Sequence, residues 1–424
     1  MIALVVTMGT LFVWALVAGR LERWSIGAPV AMTVAGVALT VGAHPVVQVG
    51  LTTADAEHAV EIILAVLLFT DATHVPAGVI RSQRRLLTRL LVLALPLTFF
   101  LGVLVGGLFF PFGRWWLVAV FAAVTVPVDL APAVELIRDI RLPSWLRGVL
   151  TVESGLNDGV IAPVFLVCLA GAQTYGARPG DASEAVVDAL AAMLWAVLAG
   201  ALVGKPGGLL LRRSWQAGWT GPAAVRLGIV ALPLLAYGLA IVLHGNGFVA
   251  AFVAGLWFTP DSRALPPKAL HLVEDVGTLL SLALWFVFGK IVTQAFTGEF
   301  DGWVVAYAVL TLTVVRIAPV LLCLVGSGVG RADRWLLAWL GPRGLASIVF
   351  GLLAFIGLAP VDPHGADLVG QVMTMTVLMS LALHGLTYGP LAARYARARE
   401  RVGDAPGPGP GEGPDPATEG PDSS

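Results

Sequence analysis

Charged side chains are scarce in this chain: Asp, Glu, Lys and Arg together make up 12% of its 424 residues. A soluble domain carries about 25%, so the shortage excludes a water-facing surface over most of the molecule. The charge that is present nearly cancels, at −1 overall, which excludes the one-sided field that draws proteins to nucleic acid. Cysteine is scarcer still. Cys168 and Cys323 both fall inside apolar runs, where they read as small core hydrophobes, and their spacing gives neither a disulfide framework nor a zinc site. The short motifs of phosphate and hydrolytic chemistry are missing too. There is no Gly-x-x-x-x-Gly-Lys-Ser/Thr loop, no His-Glu-x-x-His and no Gly-x-Ser-x-Gly. ATP coupling and the common intramembrane hydrolases are therefore set aside, and no cofactor is expected.

What the chain has instead is apolar sequence, 57% of its residues. Thirteen segments approach the roughly 20 residues that cross a hydrocarbon core: 2–19, 27–42, 58–79, 87–110, 115–136, 149–172, 185–204, 227–243, 246–259, 276–293, 302–325, 335–357 and 366–390. Gly245-Asn246-Gly247 marks a tight re-entry between the eighth and the short ninth. The first run lacks the cationic start and cleavage site of a secretory signal, so it reads as a membrane helix, with a signal peptide as the alternative. Residues 1–392 read as one transmembrane domain and 393–424 as a cytoplasmic tail. After about Val402 that tail is Gly, Pro, Asp, Glu and Ser without apolar periodicity, a composition that favours disorder.

Basic residues check this span count independently. Cytoplasmic connections collect Lys and Arg, and the odd-numbered connections with the tail hold 21 of the 26. The even connections and the span ends beside them hold Arg114, Arg178 and Lys290, while Arg316 and Arg343 fall well within spans. A wrong count would scramble this alternation. It predicts an N-terminus outside the cell membrane and a C-terminus in the cytoplasm.

A charge at the bilayer centre costs about 2.5–3.5 kcal/mol on insertion scales, so each one calls for a partner or a purpose. The candidates are Glu61 and Asp71 in the third span, Asp129 in the fifth, Glu153 and Asp158 in the sixth, Arg316 in the eleventh and Arg343 in the twelfth. Glu61 lies near a helix end and can reach water. In the sixth span, i and i+4 share a face, so Ser154 stacks with Asp158 and Glu153 with Asn157. The first stripe offers a hydroxyl and a carboxylate to one ion. The second offers a carboxylate to a structural partner and an amide that orients its neighbours. The alternative is a polar network that only holds helices together.

The fifth span contains Pro127-Val128-Asp129-Leu130-Ala131-Pro132. Each proline removes a backbone donor and breaks the helix, and unwound backbone at that depth is tolerated only where it is buried or lines a cavity. The freed carbonyls suit a hard cation. Gly341-Pro342-Arg343-Gly344 breaks the twelfth span in the same way. If the seventh span is a linker, the fifth and twelfth occupy matching places in two inverted repeats. Arg343 needs an anion; Glu153 is the first choice and Asp129 the alternative. Arg316, beside Pro319, is assigned a structural role, reaching an interface or bonding exposed carbonyls. Asp71 is read either as a third polar group on the ion path, or as a helix–helix hydrogen bond or a pair with His74. His244 and His384 read as lone packed polar groups.

At these residues the chain resembles the monovalent cation/proton antiporter family, specifically the bacterial sodium/proton exchanger branch with an Asn-Asp pair. Glu153-Ser154-Gly155-Leu156-Asn157-Asp158-Gly159 and Gly341-Pro342-Arg343-Gly344-Leu345-Ala346-Ser347 carry the resemblance, which covers roughly residues 60–390. Weaker support comes from Gly247–Gly255 and Leu284–Gly289. The resemblance implies a homodimer with two broken helices crossing at mid-membrane, alternating access, and exchange of Na+, with K+ or Li+ as alternatives, for H+ in pH homeostasis. It makes Asp158 the principal ion and proton carrier, Asp129 its partner and Ser154 a ligand; it makes Glu153 and Arg343 a structural ion pair. Asn157 is associated with electroneutral exchange. The family's usual Pro-Thr-Asp is Pro127-Val128-Asp129 here, so Val128 offers its carbonyl but no hydroxyl. Relatives also place an acid near Asp71.

The mechanism this predicts is competition, in which one carboxylate holds either a proton or a cation and alternating access couples the two fluxes. A channel, an intramembrane enzyme and a membrane scaffold are the rivals.

Overall fold

The computed structural model describes residues 2–23, 26–40, 54–75, 77–110, 113–130, 142–174, 180–262, 264–296 and 301–402. Every regular element among the described residues is a helix, as the composition predicts. In order they are α1 (Ile2–Arg23), α2 (Ala28–Thr40), α3 (Ala54–His74), α4 (Ala77–Ser82), α5 (Arg84–Gly107), α6 (Trp115–Thr125), α7 (Ser144–Gln173) and α8 (Asp181–Gln216). There follow α9 (Pro222–Val242), α10 (Gly247–Ser262), α11 (His271–Ala295), α12 (Trp303–Cys323), α13 (Arg331–Trp339), α14 (Leu345–Leu358) and α15 (Pro363–Val402). Seven of them, α5, α7, α8, α9, α11, α12 and α15, are long and apolar enough to cross a membrane. Shorter apolar stretches lie in α1 (Val5–Leu21), α2, α6, α10 (Gly247–Thr259) and α14.

Two helices run past the expected apolar spans 185–204 and 366–390. α8 continues past Lys205 and through Pro206 to Gln216, and α15 runs to Val402. Backbone hydrogen bonding carries a helix on beyond its apolar stretch. In α5 a π-helical stretch, Arg89–Ala94, ends two residues before Pro96. Pro96 offers no N–H to the carbonyl four residues back, and the wider turn absorbs that mismatch. The tight re-entry at Gly245-Asn246-Gly247 is present: the Asn246 side chain accepts the Val249 N–H at 3.0 Å and caps α10.

Small residues set the packing. α8 meets α10 through Gly200 and Gly204, and a Cβ on Gly204 would lie 2.3 Å from the Ala254 carbonyl oxygen. α2 meets α11 through Gly36 and Gly289, where a Cβ on Gly36 would lie 2.1 Å from the Phe286 carbonyl oxygen. Lipid tails give helices little hydrophobic reason to associate, so close backbone approach supplies dispersion contacts instead. Large apolar side chains such as Phe12, Phe100, Leu104, Leu202 and Leu386 remain exposed around the bundle, as a lipid-facing perimeter requires.

Helix ends expected on the same side are the ones that meet. Arg114, before α6, pairs with Asp362, before α15. At the other ends His74 pairs with Glu274 at 2.9 Å, Arg89 donates to the Val325 carbonyl at 2.7 Å, and Tyr395 donates to Asp333. Ala131 and Pro132, the rest of the fifth segment, and Arg138, Arg141, Arg178, Arg263 and the tail after Val402 lie outside the described residues.

Candidate functional site

α6 stops at Thr125, and Pro127-Val128-Asp129-Leu130 follows without regular structure. The second break lies between α13 and α14, where Leu340 to Gly344 is likewise irregular. The two breaks lie against each other. The Asp129 N–H donates to the Pro342 carbonyl at 2.8 Å, and the Leu345 N–H donates to Asp129 Oδ2 at 2.7 Å. The first N–H groups of a helix have no partner within it, and the helix N-terminus favours negative charge. Asp129 therefore caps α14 from another element. Gly344 makes room for it, since a Cβ there would lie 2.3 Å from Asp129 Oδ2.

α7 holds the other edge of the 127–130 stretch. Asn157 Oδ1 accepts the Val128 N–H at 3.1 Å, and its Nδ2 donates to the Val128 carbonyl at 3.0 Å. The orientation of the amide is fixed, because a backbone N–H only donates. One helical turn earlier, Ser154 Oγ accepts the Leu130 N–H at 3.2 Å. Ser154 and Asn157 thus act together as a clamp on the broken backbone. The i+4 stripes drawn from the sequence separate them; the structure joins them across i+3. Val128, expected to offer its carbonyl to the ion, already shares that carbonyl with Asn157.

The third element is α3. A Cβ on Gly155 would lie 3.3 Å from the Asp71 carbonyl oxygen, so α3 and α7 approach closely beside Ser154. Asp71, Asp129 and Asp158 lie within electrostatic reach of one another. Asp158 is 6% exposed, and its Oδ1 has no hydrogen-bond partner in the protein. The pair of Asp71 with His74 is not made: His74 turns to Glu274 instead.

The expected Glu153–Arg343 ion pair needs correcting. Glu153 Oε1 pairs with Arg316 Nη1 at 2.7 Å, with both side chains 4% exposed. Arg343 is fully buried beside them; its Nη1 donates to the Gly341 carbonyl at 2.8 Å and its backbone N–H to Ser380 Oγ at 2.7 Å. Arg343 reaches Glu153 and Asp158 only through the field. The GPRG segment folds Arg343 back on its own break, which leaves Glu153 to Arg316. Arg316 also contacts the Leu337 carbonyl at 3.4 Å, so of its two expected structural uses the carbonyl contact is made and the interface is not.

Glu61 is partly exposed, as its place near a helix end allows, and it also accepts the Tyr237 hydroxyl at 2.7 Å. His384 packs as expected of a lone polar group, between Ser380 and the Trp339 carbonyl. Sequence reasoning missed the cap on Leu345, the place of Gly344 and the Ser380 contact. The only available signal was the pair of glycines flanking Pro342-Arg343.

The centre thus gathers four carboxylates, Asp71, Asp129, Glu153 and Asp158, with two guanidiniums, Arg316 and Arg343. Counted among these described residues and fully ionised, the cluster carries two negative charges in excess. An excess of that size inside a packed bundle can be met by two protons, or by one monovalent cation together with one proton.

Comparison with known proteins gives a consistent picture. The profile of a family described as sodium/hydrogen exchanger, transmembrane, matches residues 6–394. A Pseudomonas aeruginosa protein named Na(+)/H(+) antiporter NhaP is 26% identical over 352 residues, 78% of this chain and 79% of that one. A Shewanella oneidensis protein named K(+)/H(+) antiporter NhaP2 is 22% identical over 287 residues, 67% of this chain. The chain spans about half of that relative, 48% of its length. Among solved structures, the sodium proton antiporter MjNhaP1 from Methanocaldococcus jannaschii superposes with a TM-score of 0.73 at 19% identity, over 93% of this chain and 98% of that one.

Proposed function

Because the chain belongs to the sodium/hydrogen exchanger family, we propose that it is a secondary antiporter exchanging a monovalent cation for H+ across the cell membrane. Sodium is the first cation to test, with potassium and lithium beside it, since relatives bear both sodium and potassium names. The observation that carries the reading is Asp158 Oδ1, a buried carboxylate oxygen with no protein partner, next to two abutting helix breaks.

The roles follow from what each group already does. Asp129 accepts an N–H at the start of α14, and a proton on that same oxygen would set two donors against each other. Asp158 is free of that conflict, so it is the group that alternates between proton and cation. Asp71 and Asp129 supply the field that draws a cation in. Ser154 and Asn157 hold the 128–130 backbone in place, and Ser154 keeps a lone pair for the ion. The Glu153–Arg316 pair, with Arg343 beside it, fixes α7 against α12 and the GPRG break. One proton exchanged for one monovalent cation leaves the cluster's charge unchanged, which fits electroneutral exchange.

The chain is further read as a homodimer working by alternating access, with its N-terminus outside and its C-terminus in the cytoplasm. The alternation of basic connections supports that orientation.

The test is transport in proteoliposomes loaded with a pH-sensitive dye, with each cation added in turn. Wild type should move protons against Na+, and Asp158→Asn should not. Proton movement that persists in the variant removes Asp158 as the carrier. Cation flux without proton movement would make the protein a channel.

A further inference from the structure

Away from the ion site, a cleft of about 520 Å³ opens between α13 and the last third of α15. Trp335, Leu336 and Trp339 line one wall, and Leu386, Pro390 and Leu391 the other. The walls are apolar and open outward: Leu386 is 78% exposed and Trp335 50%. Trp339 spends its one polar atom on the Thr387 hydroxyl, at 3.1 Å.

The mouth has a different character. Arg394 lines the cleft, and exposed Arg331 precedes Trp335 by one helical turn. Arg334 and Arg397 lie on the same two helix ends. Asp333, on this end of α13, is held by the Tyr395 hydroxyl across the two helices. An apolar slot with a cationic rim at a helix end fits a molecule with a long apolar chain and an anionic head.

We propose that this cleft binds one anionic phospholipid of the inner leaflet, its acyl chain between Trp335 and Leu386 and its phosphate on Arg331 and Arg394. The chain's own tail is acidic and would suit the rim. However, residues 403–424 contain no Val, Leu, Ile, Met or aromatic residue to fill the slot. Juxtamembrane arginines on the cytoplasmic side favour anionic headgroups, and each one near the surface is worth about five-fold in affinity by that same rule. The inference rests on the membrane setting and on the proposed orientation, not on antiport, so a binding assay tests it whatever the transported ion.

The experiment is tryptophan quenching of the purified full-length protein by lipids brominated on the acyl chain, comparing phosphatidylglycerol with phosphatidylcholine. Brominated phosphatidylglycerol should quench at lower mole fraction than the choline lipid, and Trp335→Phe should remove part of the quenched signal. Arg331→Ala with Arg394→Ala should weaken the glycerol lipid about thirty-fold, leaving the choline curve in place. Leu391→Trp, which narrows the slot, should move the Trp335-dependent part for both lipids. Equal quenching by the two lipids in wild type, or a preference that survives loss of both arginines, means annular contact only and overturns the proposal. A preference matched by free inorganic phosphate competing at millimolar concentration would reduce the site to an anion site and overturn it too.

Discussion

The buried pair of Glu153 with Arg316 is open to a direct test by double-mutant cycle. Glu153 and Arg316 are 2.7 Å apart and 4% exposed. Removing one partner of a buried pair strands the other charge, at a cost of about 3–5 kcal/mol. Glu153→Gln and Arg316→Met should each lose about that much. The double variant leaves no stranded charge and should lose far less than the sum, so the coupling should be about 3 kcal/mol or more. Arg343 reaches Glu153 only through the field, and its guanidinium bonds to the Gly341 carbonyl. Coupling in the cycle of Glu153→Gln with Arg343→Met should therefore stay below about 1.5 kcal/mol. Thermal unfolding in detergent reads both cycles. With the usual entropy per residue, a single loss of this size lowers Tm by about 3–6 °C in a chain of this length. If the single variants do not accumulate, abundance restored in the Glu153/Arg316 double variant carries the same information. Coupling with Arg343 that equals or exceeds coupling with Arg316 would refute the pairing.

Three further outcomes follow from the same geometry. Gly344→Ala places a methyl 2.3 Å from Asp129 Oδ2; displacing that carboxylate forfeits a charge-assisted hydrogen bond worth about 1.5–3 kcal/mol. Transport in proteoliposomes should fall at least about ten-fold at near-normal abundance, and unchanged transport would remove Asp129 from the machinery. Lower pH should raise the cation concentration for half-maximal transport, because protons occupy the carboxylate the cation needs. Where one proton competes, the rise approaches about ten-fold per pH unit; a half-maximal concentration that stays flat while the maximal rate changes would rule competition out. Thr376 is fully buried, and its hydroxyl has no hydrogen-bond partner. Thr376→Val should therefore raise thermal stability, by up to about 1–2 kcal/mol, and a loss of stability would mean that the hydroxyl has a partner.

The helices were legible because each rests on a local property, a run of apolar residues that also satisfies its own backbone. Both breaks were legible for the same reason, since Pro127 and Pro342 remove donors wherever they sit. The partners were not. Which carboxylate faces Arg343 depends on how Arg316, 163 residues after Glu153, is carried in by α12, and helical spacing on α7 is silent about that. The Leu345 cap on Asp129 is hidden for the same reason, because it joins residues 216 apart. Sequence periodicity reports which side chains share a face. It does not report what that face meets, so the Ser154–Asp158 stripe was drawn correctly while Ser154 hydrogen-bonds elsewhere.

The aspartates of the two motifs are therefore unequal in a way spacing alone could not express. A broken helix exposes donors and acceptors that must be satisfied before any ion is bound. Here Asn157 takes both polar groups of Val128, Ser154 takes the Leu130 N–H, and Pro342 takes the Asp129 N–H. Asp129 repays the second break by capping Leu345. Each of these bonds ties a group near the breaks to backbone, and each lowers that group's freedom to follow a transported ion. Asp158 Oδ1 takes part in none of them. Under the proposed function, the clamp and the carrier are divided between neighbouring residues of one helix turn: Asn157 keeps the break rigid so that Asp158 can change its occupant without the backbone losing a partner.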